Sequence, residues 1–265
     1  MWTNKKYDGS GQLYLGWASS ILNEANQSIR GLSELQNGRL LVTLVDILWP
    51  SARLGEKIQN LDDPTPEACM EVVLNYLTTI GVRHSLNEKD VIGEDLKPFC
   101  DLLWLIIINL SVHTPKLAPF QRNVRMGSRL MLNWCREKVP SMTVNHFESL
   151  VSNIQRDGVL IDLLKHLCVN ITYHSDTQTY LENCLKAAEE ELGVKKDIIN
   201  AELFLQGKIG DEALLIYLTL LKRKIKQKED LLALTSNKHE LVGVQEPSHK
   251  LGMHAFLFFI VKHET

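Results

Sequence analysis

The chain has little of what marks a membrane-spanning, secreted or catalytic protein. Its most apolar run, Leu102 to Leu110, is too short to cross about 30 Å of hydrocarbon, and Ala255 to Val261 is shorter still. The opening stretch, Met1 to Gly11, is polar and has no apolar signal core, which points to a cytosolic protein without a transmembrane segment. The three Asn-X-Ser/Thr stretches, at Asn26, Asn109 and Asn170, therefore carry no meaning as glycosylation sites. The five cysteines (Cys69, Cys100, Cys135, Cys168 and Cys184) are odd in number, widely spaced and free of any CxxC pair. That excludes a disulfide framework and a zinc ribbon, and the apolar surroundings of most of them read as buried thiols.

Motifs for cofactor chemistry are missing too. There is no P-loop, and Gly9-Ser10-Gly11 lacks the third glycine and the preceding strand of a dinucleotide site. Asp62-Asp63 runs into Pro64 and lacks the acidic alternation of a calcium loop. None of the nine histidines is paired at metal-ligand spacing, and no nucleophile elbow frames a serine. The expectation is a protein with no cofactor, no metal and no enzymatic activity. An excess of one charge is also absent. Lys and Arg (29) nearly balance Asp and Glu (32), so nucleic acid is not an expected partner, and any electrostatic partner must meet a local patch.

Hydrophobic residues make up 45% of the 265, enough to bury a sizeable core. Their spacing is helical. Leu13, Trp17, Ile21 and Leu22 share one face, and Leu130, Trp134 and Val139 share another further on. The pattern also repeats. Asn37-Gly38 precedes the apolar stretch Leu40 to Leu48, and Asp157-Gly158 precedes Val159 to Leu167. Ile80-Gly81-Val82 and Leu192-Gly193-Val194 each place a glycine where a helix would end, at an offset of about 112–120 residues from one copy to the next. A final apolar helix closes each half, Leu96 to Val112 with Trp104 and Asp211 to Lys224 with Tyr217. Two prolines in His113 to Pro119 mark the join.

The predicted fold class is all-α. It comprises a first helical module over residues 12–113, a linker over 114–123, a second module over 124–228 and a tail over 229–265 that is either peripheral or poorly ordered. Trp17, Trp104 and Trp134 are expected in the core. The basic run Lys222 to Lys228 reads as a solvated face that complements a helix dipole.

The residues from about 12 to 224 resemble the tandem calponin-homology actin-binding regions of the filamin, α-actinin and spectrin type. The resemblance rests on Leu15-Gly16-Trp17, the turn Gln36 to Leu41, Asp90-Val91-Ile92 and Leu96 to Trp104 in the first half. In the second it rests on Leu132 to Lys138, Val144-Asn145-His146-Phe147 before Arg156-Asp157-Gly158, and the filamin-like Leu192-Gly193-Val194, Asp211-Glu212 and Ile216-Tyr217-Leu218. Three positions depart from the family pattern: Asn37 for Asp, Asp101 for Gly and Gln155 for Trp.

The resemblance implies a cytoplasmic, cytoskeletal protein whose partner is filamentous actin. By position it implies contacts through Ser20, Lys97, Asn109, His113, Arg125, Arg129, Arg136 and Lys138. Between Lys116 and Lys138 the basic residues Lys116, Arg122, Arg125, Arg129, Arg136 and Lys138 face a single acid, Glu137, which suits the acidic actin surface. The alternative is an adaptor of the same fold that binds another protein or phosphoinositide lipids, with Arg129, Arg136 and Lys138 at the lipid head group.

Overall fold

The computed structural model of the chain describes residues 7–241, apart from 62, 114–115 and 146–147. Among the described residues there are thirteen α-helices and no strand, so the fold is all-α. The N-terminal half carries α1 (Tyr7–Leu22), α2 (Leu32–Gln36), α3 (Arg39–Leu48), α4 (Leu54–Gln59), α5 (Pro66–Thr79), α6 (Glu88–Ile92) and α7 (Leu96–Ile106). The C-terminal half carries α8 (Val124–Lys138), α9 (Leu150–Gln155), α10 (Val159–Leu167), α11 (Thr177–Leu192), α12 (Ala201–Leu205) and α13 (Asp211–Leu241).

Short polar residues start these helices by accepting N–H groups that the first turn leaves without intrahelical partners. Thr65 caps α5, Asn123 caps α8, Ser149 caps α9 and Asp176 caps α11. Two caps come from a distance. Asp46, on α3, accepts from the N–H groups of Leu54 and Gly55 at 2.8 and 2.7 Å and so fixes the start of α4. Asp211, at the start of α13, accepts from Leu150 and Val151 and fixes the start of α9.

The two repeated glycines before α3 and α10 both hold positive φ, 85° at Gly38 and 70° at Gly158. Side chains other than glycine adopt that region at a cost. Gly38 is constrained twice, since a Cβ there would lie 2.4 Å from the Cβ of Cys69, whereas the space beside Gly158 is open.

Described residues up to Ile225 pack as one compact unit. Trp17, Ala18, Ile21 and Leu22 are fully buried along α1, and Leu214 to Leu218 are fully buried along α13. All five cysteines are buried and none forms a disulfide. Burial pushes the Cys100 and Cys184 thiols up to about 11, so they behave as apolar filler.

The structure corrects three expectations. Trp104 packs against the core but is only partly buried, while Tyr217, its counterpart in the second half, is fully buried. Leu130 is 36% exposed, because Gly127, Met131, Trp134 and Cys135, at spacings of four, seven and eight, form the buried stripe of α8 instead. The helix expected over Asp211 to Lys224 continues to Leu241, so residues 225–241 are helical too. No proline or glycine interrupts Asp211 to Leu241, and its Leu, Lys, Glu and Ala residues favour the helix. The rest of the tail, His146-Phe147 and the start of the linker lie outside the described residues.

Trp17→Ala is expected to lower stability by about 3–5 kcal/mol, because it empties a fully buried indole site. Trp104→Ala should cost about 1–2 kcal/mol, as less apolar surface leaves the interior. Urea unfolding of both variants checks the order; equal losses would overturn the different burial of the two indoles.

Candidate functional site

The residues implicated by position do not form one exposed surface. Lys97, Arg125, Arg129 and Arg136 are exposed and Lys138 is partly so. Ser20, Asn109 and His113 are buried, with 0%, 6% and 2% of their surface accessible. Each of these three is used inside the molecule. Ser20 Oγ donates to the Gly16 carbonyl at 2.9 Å and accepts the Lys195 N–H at 3.4 Å. Asn109 Nδ2 donates to the Leu105 carbonyl at 2.9 Å, and His113 Nε2 bonds the Asn123 carbonyl at 2.9 Å. Burial, reinforced by the Arg122 charge, holds the His113 pKa below 6.5.

Asn109 lies in a widened part of the helix. From Ile107 to Val112 the helix widens to a π-turn, and the His113 N–H reaches back five residues to Ile108. Ser111 Oγ, on this turn, accepts a 3.5 Å bond from the Trp17 indole of α1.

The basic face of α8 is present, but the basic residue just before the helix is turned inward. Arg125, Arg129 and Arg136 are exposed, whereas Arg122 is 7% accessible and donates from Nε to the Leu117 carbonyl. The phosphoinositide candidates Arg129 and Arg136 lie on this same exposed face, with Lys138 at the C-terminal end of α8.

The buried candidates lie where the two halves meet. Helix α1 packs against the short turn Lys196–Ile198 of the C-terminal half. Gly16 permits this approach, since a Cβ there would stand 3.0 Å from Ile198 Cγ1. At the end of α1, Glu24 receives a two-pronged contact from Arg223 of α13, Nε to Oε1 at 3.0 Å and Nη2 to Oε2 at 2.8 Å. Lys224 Nζ adds a 2.7 Å bond to Oε1, and Arg223 Nη2 also reaches the Ile47 carbonyl at 3.0 Å. Two cations and one carboxylate thus join α13 to α1 and α3 across about 200 residues of chain.

The sequence reading missed this clasp. A basic run at a helix end has the composition of a solvated face, and nothing in the primary structure pairs it with Glu24. Gln155, which departs from the family pattern, donates to the Leu205 carbonyl and ties α9 to α12.

No protein-family profile matches the chain. The chain is similar to Filamin-A of Drosophila melanogaster, with 23% identity over 224 residues covering 77% of this chain. It is also similar to Cortexillin-1 of Dictyostelium discoideum, with 19% identity over 245 residues covering 87% of this chain. It spans about 10% of the length of the first relative and 52% of the second.

Burial raises the Glu24 pKa, but hydrogen bonds from Arg223 and Lys224 and their charges outweigh it, leaving a net value below 4.5. A depressed folded-state pKa stabilises the fold above the unfolded value and loses that contribution as pH falls through the folded one. Glu24→Gln is therefore expected to cost about 1–3 kcal/mol at pH 7, with the deficit shrinking as pH drops below 4.5. Urea titrations at several pH values check this; a deficit that does not change with pH removes the carboxylate from the account.

Proposed function

We propose that the chain binds actin filaments through two calponin-homology-like modules, as part of a cytoplasmic, cytoskeletal crosslinker or scaffold, and that binding rather than catalysis is its function. The observation that carries the reading is the similarity to Filamin-A and Cortexillin-1 over most of the chain. The helical repeat and the exposed Arg125, Arg129 and Arg136 support it. Cations on one helix face increase encounter with an acidic filament and make binding salt-dependent.

The burial of Ser20, Asn109 and His113 adds a condition. Ser20 is covered by the C-terminal half, so a filament can reach it only after the halves part, and the Glu24 clasp opposes that parting. Weakening the clasp makes the contact-competent arrangement more populated and raises apparent affinity by the same factor.

Co-sedimentation with filaments over a salt series tests both points. Arg129→Glu with Arg136→Glu is expected to weaken pelleting by tenfold or more, because charge reversal adds repulsion to each lost contact. Its stability should change by no more than about 0.5 kcal/mol, since both residues are exposed. Arg223→Ala is expected to tighten pelleting while lowering the melting temperature. Absence of saturable pelleting by the parent at low salt would reject actin as the partner. Binding to phosphoinositide vesicles in that case would favour the adaptor reading.

A further inference from the structure

A groove of about 1130 Å³ lies between the end of α5, the outer side of α7 with its π-turn, and the start of α8. It is larger than the roughly 300–1,000 Å³ of a small-molecule site. Trp104, Leu105 and Ile108 contribute apolar surface from α7 and the π-turn, and Pro119 and Val124 contribute it from the opposite side. Trp104 is only partly buried, so an indole is presented inside a concave surface, the arrangement that dominates many protein interfaces.

The charge of the groove has one sign. Arg83 and Arg122 both line it, and among the described residues no Asp or Glu does, although the chain as a whole carries a formal charge of −3. His84 adds polar capacity to the wall. Its Nε2 lies 3.2 Å from Thr78 Oγ1 and 3.3 Å from the Leu74 carbonyl, while Nδ1, also buried, has no partner. Arg122 is buried in the wall beside apolar side chains and Arg83 is exposed at the groove, a concave arrangement that a flat anionic bilayer fits poorly and an extended chain fits well. Leu105, Ile108 and Val124 offer aliphatic surface where a nucleic acid would need further aromatic stacking.

We propose that this groove docks a short acidic peptide with an aliphatic or aromatic anchor, the anchor against Trp104 and the carboxylates toward Arg83 and Arg122. The groove includes Asn109, one of the actin contacts implied by position, but none of Arg125, Arg129 and Arg136 lines it. A chain with both surfaces can hold a second protein while its basic helix face is engaged elsewhere.

Fluorescence anisotropy with a labelled peptide of Asp and Glu interspersed with Leu and Phe tests the assignment. Its control has every Asp and Glu replaced by Asn and Gln. The acidic peptide is expected to bind saturably, at least tenfold more tightly than the control, and to weaken with salt. Arg83→Glu should reduce affinity tenfold or more, and Arg83 is exposed, so the fold should survive. Val124→Glu is a second probe at the groove wall. An acidic residue suits the first turn of α8 yet would repel the peptide. The double change Arg129→Glu with Arg136→Glu should leave peptide binding unaltered. Equal binding of the two peptides, or unchanged affinity in both groove variants, overturns the proposal. So does saturable binding to anionic vesicles or to oligothymidylate without binding to the peptide.

Discussion

Helix α1 holds the molecule together because it is buried from two directions. Its apolar face, with Trp17, Ile21 and Leu22, enters the core beside α3 and α7, while Gly16 and Ser20 meet Lys195 and Ile198 of the C-terminal half. Glu24, in the turn that follows, anchors Arg223 and Lys224. A carboxylate taken largely out of water needs full compensation, and two cations with a bidentate fork supply it. Removing either side would leave a charge stranded at the junction, so the halves are coupled electrostatically as well as by packing.

That coupling decides which residues a partner can reach. Apart from Lys97 on α7, the exposed set is on α8, whose basic face is fixed outward by burial of Met131, Trp134 and Cys135 on the opposite side. The hidden set, Ser20, Asn109 and His113, makes internal hydrogen bonds that a partner would have to replace. The groove beside Trp104 is a third environment, concave and cationic, built where the join between the halves passes over α7.

Much of the fold was legible in the primary structure because helices leave local signals. The glycines at 38 and 158 and the burial of Trp17 and Trp134 follow from residue type and spacing. Errors arose where a local signal was ambiguous. Leu130 carries the right chemistry for a core face, yet it lies one position off the stripe that is buried. The end of α13 was set too early because a loss of apolar period does not stop a helix that contains no proline or glycine.

The sequence by itself determined the all-α class and most of the core, since these depend on propensity and periodicity within a turn or two of chain. Only the tertiary structure decided that Glu24 meets Arg223 and Lys224, that Ser20, Asn109 and His113 are enclosed, and that Arg122 turns away from the basic face into a groove wall. Those outcomes depend on which surfaces far apart in the chain come to rest against each other. A charged side chain reads the same in sequence whether it meets water or a buried partner; packing alone separates the two.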